Sequence, residues 1–325
     1  MRISFSVDAQ DFLRPEWVRV VDADPAATFF HLPRYLKLYW EEFGHDSDLL
    51  LAFAEEDGET VGAVAFERTG GRLAFLGGTE VTDYMGPVAI PGTEERVAKE
   101  LVDALAGLEW DEADLRGLPE DSPWLGRLRG AVDDAGLWVG VGDDSVAPML
   151  ELPGTYEEYL VLLPGKLRHE IKRKARRLEA EAGGYSHMRS TPETLGEDLD
   201  CFVAMHRSSE GPKGKFMQPG MEIFFRRLGA EFVRDGTFRL TFLEVDGVKV
   251  AGAIGFSYRG TFFLYNSAYD REWSRLAPGM VLVSDLVKGA IEAGCRGFDM
   301  LKGDLEYKYR FGAKPRAVKR LVIRR

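Results

Sequence analysis

The chain has 325 residues, of which 45% are hydrophobic, and a formal net charge of −11. A chain of this length usually forms two domains, and its composition is typical of a globular protein and not of a disordered one. The negative charge disfavours nonspecific binding to DNA or to an anionic membrane.

Targeting and metal-binding signals are also missing from the sequence. The first residues lack the basic segment and apolar run of a secretory signal, and no apolar stretch approaches the roughly 20 residues of a membrane helix. We therefore expect a cytoplasmic protein with no membrane insertion. Cys201 and Cys295 are far apart in the chain, so we predict neither a disulfide nor a metal site.

The first half of the chain contains an ordered series of predicted elements. Asp-Gly between apolar runs indicates a β-hairpin, and an amphipathic helix between two strands indicates that those strands are parallel. In chain order the elements are a helix ending near Phe43, a hairpin at Asp57-Gly58, a turn at Gly70-Gly71, a helix from Val97 to Leu108 after Pro91-Gly92, and a strand at Asp114-Leu115-Arg116-Gly117.

The second half repeats the series at an offset of about 186 to 190 residues, which indicates a tandem duplication. Its elements are a helix ending near Phe232, a hairpin at Asp246-Gly247, a turn at Arg259-Gly260, a helix to Gly294 after Pro278-Gly279, and a strand at Phe298-Asp299. The sequence thus predicts an α/β (α+β) fold with two similar domains, 1–152 and 153–325. Each has a mixed sheet, with an antiparallel meander followed by a parallel strand-helix-strand. A basic helix over 166–182 opens the second domain.

The stretch from Tyr265 to Asp270, followed by Arg275, Pro278-Gly279 and Phe298-Asp299, resembles the acyl-CoA-binding core of the GNAT N-acyltransferases. Over nearly the whole chain the sequence resembles the bacterial BioF2-like or CelD-like acetyltransferase domains, relatives of the FemAB-type aminoacyltransferases. That wider resemblance rests on Lys166-Leu167-Arg168, Lys172-Arg173, His206, Asp246-Gly247, Ala268-Tyr269-Asp270, Pro278-Gly279, Gly303, Tyr307-Lys308 and Phe311-Gly312, and on Gly77-Gly78 with Asp83-Tyr84.

The resemblance implies an acyltransferase that moves an acyl group, acetyl in the first instance, from acyl-CoA to an amine by direct attack. The acceptor would be a small or peptide-like amine, in a groove between or within the two domains. Two alternatives stay open. One is aminoacyl transfer from the acceptor end of a charged tRNA to a cell-wall precursor, as in the FemAB relatives, and the other is a non-catalytic binder of a phosphorylated metabolite.

Candidate site residues concentrate in the second half, which we expect to hold the chemistry. Arg168, Arg173, Arg275, Gly279 and Gly303 are the candidates for donor binding, because guanidinium groups and glycine-rich turns suit phosphates. In the ordinary GNAT turn, backbone N–H groups bind the pyrophosphate, but Pro278 has none to offer.

Five residues are candidates for the chemistry itself. A base, an acid and hydrogen-bond donors are what direct acyl transfer requires. The alternative in each case is a structural role: core packing for Tyr269 and Tyr307, an ion pair for Asp299, a satisfied polar group for His206, and a side chain that merely snorkels to solvent for Lys308.

Overall fold

The computed structural model describes residues 1–209 and 211–325, and in these the chain divides into two compact units. Unit 1 comprises residues 1–146 and 316–325, and unit 2 comprises residues 147–315. Both are mixed α/β units with parallel and antiparallel strand pairs, so the predicted fold class is confirmed. Among the described residues no helix is long and apolar enough to cross a membrane.

Unit 1 begins with four helices and seven strands. The strands are β1 (Arg2–Ser6), β2 (Asp48–Glu56), β3 (Glu59–Thr69), β4 (Arg72–Phe75), β5 (Val88–Ala89), β6 (Glu112–Pro119) and β7 (Trp138–Val146). The helices are α1 (Pro15–Ala23), α2 (Pro33–Phe43), α3 (Glu94–Ala106) and α4 (Pro123–Asp134). Helices α3 and α4 bury an apolar face that includes Leu101, Trp124 and Leu128 against the sheet.

Unit 2 contains seven helices and six strands in its described residues. The strands are β8 (Met149–Glu151), β9 (Ser186–Arg189), β10 (Phe238–Val245), β11 (Val248–Tyr258), β12 (Thr261–Tyr269) and β13 (Gly297–Asp299). The helices are α5 (Tyr156–Leu162), α6 (Gly165–Ala182), α7 (Leu195–Arg207), α8 (Pro212–Phe216), α9 (Pro219–Phe232), α10 (Pro278–Glu292) and α11 (Glu306–Tyr309). The sheet order is β8-β13-β12-β11-β10-β9, and the β12–β13 pair is parallel.

The corresponding hairpins of the two units turn as predicted. Asp57 has φ +52° and Gly58 has φ +85°, while Asp246 and Gly247 have φ +49° and +77°. Positive φ at both central residues defines a type I′ turn, whose twist matches that of the strands it joins.

The last strand, β14 (Ala317–Arg324), belongs to the sheet of unit 1, where it lies between β6 and β7 and pairs antiparallel with both. In unit 2 the short strand β8 lies beside β13. The predicted segment 153–325 therefore differs from the observed unit 2 at both ends. A comparison of the two repeats groups each strand with the elements next to it in sequence. Strand β14 breaks this rule, because it pairs with residues about two hundred positions earlier.

Candidate acyl-transfer site

The two parallel strands of unit 2 separate soon after they pair. Strand β13 pairs only with Thr261 to Phe263, whereas β12 continues to Tyr269. Tyr265 is an extra residue in β12, since Ile254 pairs with Asn266 and Gly255 with Leu264. Such a bulge bends the strand. From residue 264 onward the edge of β12 that faces away from β11 has no strand partner in the described structure.

A cavity of about 350 Å³ lies between this edge and the start of α10. Predicted site residues Tyr269, Gly279 and Tyr307 line it together. The remaining walls are Lys174, Ser267, Ala268, Ser274, Ala277, Met280, Val283, Arg310 and Phe311. A ligand in open α/β sheets commonly binds at the carboxyl ends of separating strands, and this cavity occupies that position.

Two phenols face the cavity. The described structure gives neither Tyr307 nor Tyr269 a hydrogen-bond partner for its hydroxyl, although it does so for the neighbouring Tyr309, which donates to Asp304 at 2.5 Å. Burial raises the pKa of Tyr307 to about 12, so at neutral pH its hydroxyl is protonated and acts as a hydrogen-bond donor. The ring of Tyr269 packs on Gly279, where an added Cβ would lie 3.2 Å from Cδ1.

Asp299 is the last residue of β13, Gly303 lies in the loop that follows, and Lys308 lies in α11; none of the three lines the cavity. Asp299 Oδ1 accepts from the N–H of Leu301 at 2.8 Å, and Lys308 Nζ donates to the carbonyl of Leu301 at 2.7 Å and to that of Lys302 at 2.8 Å. Leu301 has φ +58°, a conformation that is costly for a leucine. The acid and the ammonium group therefore hold this loop in a strained shape beside the cavity.

The first turn of α10 offers few donors to a pyrophosphate. Pro278 has no N–H, and the N–H groups of Met280 and Val281 both bond to the carbonyl of Ala277. Gly279 is the residue of this turn whose N–H stays available in the described part of the chain. Arg275, on a 3-10 helix just before the turn, forms an ion pair with Glu181 of α6.

The comparisons with known proteins agree with this geometry. Residues 165–309, which lie within unit 2 and run from the start of α6 to the end of α11, match the family model described as an acetyltransferase (GNAT) domain. This segment is a GNAT domain. The prediction of a GNAT-type N-acyltransferase is thereby confirmed, while the donor is not determined. A search of the curated proteins found no match.

Solved structures share the fold of the whole chain at low sequence identity. FemX has a TM-score of 0.68 at 11% identity, and the match covers 99% of this chain and 97% of FemX. The L-PGS of Bacillus licheniformis gives 0.62 at 17%, covering 96% and 92% of the two chains. A tandem GNAT protein from the clavulanic acid biosynthesis pathway gives 0.52 at 12%, covering 98% of each. The last supports duplicated GNAT-like units.

Helix α6 carries an unusual excess of cations for a protein of this net charge. Its inner face is apolar and buried at Ile171 and Leu178, and Lys174 and Arg177 pair with acids of the same helix. Five further cations have no carboxylate partner among the described residues: Lys166, Arg168, Lys172, Arg173 and Arg176. Since Lys174 reaches the cavity wall, the helix places positive charge next to the GNAT site.

His206 lies on α7 and does not line the cavity. Its side chain is fully buried, and Nε2 lies 3.0 Å from Oδ1 of Asn266, next to the phenyl rings of Phe202 and Phe216. Asn266 Oδ1 also accepts from the N–H of Ser267, which does line the cavity. The imidazole therefore contacts the bulged strand, and Asn266 links it to the cavity lining.

Sequence reasoning missed the two cations of the cavity wall. Lys174 Nζ lies 3.4 Å from Glu170 and 3.1 Å from the sulfur of Met280, and Arg310 lies 3.9 Å from the same Glu170. The sequence does contain a signal for Lys174, which is its helical spacing. Lys174 follows the buried Ile171 by three positions and precedes the buried Leu178 by four, so it lies on the same face of α6. Among the described residues no cluster of three or more His, Cys, Asp and Glu is arranged to hold a metal ion.

The equivalent strands of unit 1 hold a different set of groups. Strands β4 and β6 are parallel, and the buried Asp114 of β6 pairs with Arg72, Arg116 and Arg320. A cavity of about 470 Å³ on this side of the sheet also contains Glu67, whose pKa burial raises to about 6. Three guanidinium groups thus share the single carboxylate of Asp114 in unit 1.

The displaced pKa of Glu67 predicts a pH-dependent stability. The folded protein holds this proton more tightly than the unfolded chain, so the carboxyl group destabilises the fold progressively as the pH rises from about 4.5 to above 6. We expect Glu67→Gln to raise the free energy of unfolding by about 1–2 kcal/mol at pH 8 and by almost nothing below pH 4.5. Urea unfolding at both pH values measures this, with the exposed Glu80→Gln as control. An equal gain at both would contradict it.

Proposed function

We propose that the protein transfers an acyl group from acyl-CoA to a primary amine, with the thioester end of the donor in the cavity of the GNAT domain. The observation that carries this proposal is the 350 Å³ cavity itself. It joins the edge of β12 that has no strand partner beyond Phe263 to a wall that holds Tyr269 and Tyr307, whose hydroxyls have no hydrogen-bond partner among the described residues. Such a strand edge can bond an amide-containing arm.

The lining supports chemistry by orientation and hydrogen bonding. It includes no carboxylate and no histidine among the described residues. The neutral amine attacks the thioester carbonyl and forms the C–N bond in a tetrahedral adduct that carries an oxyanion. The C–S bond then breaks, and the CoA thiolate takes up the proton that the nitrogen loses. Tyr307 is the group we assign to donate a hydrogen bond to the developing oxyanion or to the departing sulfur, because its raised pKa keeps the proton on the phenol.

The donor phosphates would bind side chains of α6. Arg168 and Arg173 are the preferred contacts, since both lack a carboxylate partner among the described residues and lie on the helix that supplies Lys174 to the cavity wall. Guanidinium groups bind phosphate in a bidentate way. This arrangement would replace the backbone N–H groups that the first turn of α10 does not provide.

An aminoacyl-tRNA is the second candidate donor. The observation in its favour is that α6 carries a series of unpartnered cations over more than two turns, including Lys166 and Arg173, one heptad apart. The acceptor end of a tRNA presents phosphates in such a series, whereas CoA presents a compact cluster. In either case the acceptor is an amine, small or peptide-like. The narrower BioF2-like assignment, like the catalytic roles of His206, Asp299 and Lys308, remains a prediction.

Calorimetric titration separates the donors. We expect acetyl-CoA to bind saturably, pantetheine to bind more weakly, and deacylated tRNA to bind no better than DNA of equal charge. Replacing Arg168 and Arg173 together by Met should weaken acetyl-CoA at least tenfold and leave pantetheine unchanged, with the exposed Arg234→Met as control. Tight tRNA binding that the same double variant abolishes, together with no acetyl-CoA binding, would favour the second donor.

A further inference from the structure

Unit 2 contains a second cavity of about 350 Å³ whose lining shares no residue with the acyl-transfer cavity. It lies between the second half of α10 and the strands β9 and β10, of which β9 is the edge of the sheet. Its walls are Tyr185, His187, Arg189, Arg239, Thr241, Phe262, Asp285, Leu286, Lys288, Gly289, Ala290 and Glu292. Nothing in the proposed acyl transfer uses these groups.

Two arginines stand side by side in this cavity. Arg189 of β9 pairs in register with Thr241 of β10, and Arg239 lies two residues before Thr241 on the same face of the sheet. Neither guanidinium has a carboxylate within ion-pair distance in the described part of the chain. Arg239 is half-buried, with Nε donating to the carbonyl of Gly236 at 3.2 Å. Burial lowers the pKa of Arg239, and the positive charge of Arg189 lowers it further. Holding the two cations close together therefore costs free energy.

The acids of the cavity already have partners. His187 Nε2 lies 3.2 Å from Asp285 Oδ2, and burial followed by the charge of Asp285 raises the pKa of Tyr185. Glu292 lies 3.7 Å from Lys288 on the next turn of the helix. The three cations of the lining, Arg189, Arg239 and Lys288, outnumber its two acids, Asp285 and Glu292, so the local excess of charge is positive. Two guanidinium groups that lack carboxylate partners and lie in one cavity can bind an anion.

The helix leaves the recess open at Gly289. A Cβ added there would meet no heavy atom within 4 Å, although glycine within a helix costs about 1 kcal/mol relative to alanine. A larger side chain would project into the cavity from this position. The recess is also several times larger than a bare phosphate ion, and the rings of Tyr185 and Phe262 form part of its wall.

From the paired arginines and the open recess, we propose that this cavity is a second ligand site, specific for a small phosphomonoester. Arg189 and Arg239 bind the phosphate group, and the organic part lies against Tyr185 and Phe262. The site is independent of the proposed acyl transfer, because its groups and its cavity are separate.

Calorimetric titration at fixed ionic strength tests the site with inorganic phosphate, phenyl phosphate and benzoate as probes. We expect saturable binding of phenyl phosphate, weaker binding of inorganic phosphate, and at least a tenfold loss for phenyl phosphate when Arg189 and Arg239 are both replaced by Met. Gly289→Leu should abolish binding of phenyl phosphate by filling the recess, whereas Gly289→Ala should keep it. Arg234→Met, at an exposed position outside the cavity, should bind like the wild type.

Three outcomes would overturn the proposal. Binding that survives the double Met variant places the phosphate elsewhere, for example on α6, and loss in an Arg173→Met variant would show this directly. Benzoate binding as tightly as phenyl phosphate would show a carboxylate site instead. No saturable binding of any probe by folded wild-type protein would show that the two arginines are only solvated surface cations.

Discussion

Lys308→Met should lower the free energy of unfolding by about 3 kcal/mol. Lys308 is only 3% exposed, and its ammonium group donates to two carbonyl oxygens, of Leu301 and Lys302. Loss of the ammonium group leaves these acceptors without a charged donor in a buried setting, which costs about 1–3 kcal/mol or more per site. It also releases Leu301 from its positive φ. Urea unfolding at pH 7 measures the change.

The matched control for this prediction is Lys314→Met, at an exposed position near the same end of unit 2. It should change stability by less than about 0.5 kcal/mol, as is usual for surface substitutions. If Lys308→Met keeps full stability but loses transfer activity, the ammonium group acts on the reactants and the structural role is wrong.

Tyr307→Phe should have the opposite profile, with turnover reduced about a hundredfold and stability kept within about 0.5 kcal/mol. The phenol lines the cavity, has no hydrogen-bond partner among the described residues, and stays protonated because its pKa is raised to about 12. Removal of one well-placed donor to a developing negative charge typically costs a factor of about 10² to 10³ in kcat. Donor affinity should change little, since the hydrogen bond strengthens only in the transition state.

Activity against a panel of primary amines, read as release of free CoA thiol, measures this effect. Tyr309→Phe is the matched control, because that phenol lies two residues away and donates to Asp304 at the surface. Both variants should unfold at the same urea concentration as the wild type, within error. Wild-type turnover by Tyr307→Phe would remove this residue from the mechanism and leave Tyr269 as the remaining phenol of the cavity.

The sequence predicted much of the fold because its main signals are local. Asp-Gly turns, the apolar stripe of α10 and the Pro-Gly before it are short-range patterns, and each gives the same answer in both halves. The place of β14 is a long-range property. Nothing in its local pattern names the sheet it joins, and only the pairing with β6 and β7 places it in unit 1.

The site was predicted less completely, for a similar reason. Tyr269, Gly279 and Tyr307 are far apart in sequence, and they meet because β12 and β13 separate. Motif matching selected Lys308 and Asp299 alongside them but could not show that both bond to the loop around Leu301. It also could not show that Arg275 forms an ion pair with Glu181. Such contacts depend on side-chain direction, which a one-dimensional pattern does not contain.

Binding of acetyl-CoA to a variant with a filled cavity tests the central proposal most directly. Ser274 is exposed at the cavity wall, so Ser274→Trp should fold normally and fill the space beside Tyr269. We predict that it loses acetyl-CoA binding by at least tenfold in calorimetric titration, while Ser274→Ala binds like the wild type. Unchanged binding of acetyl-CoA by a folded Ser274→Trp variant would contradict the placement of the donor in this cavity.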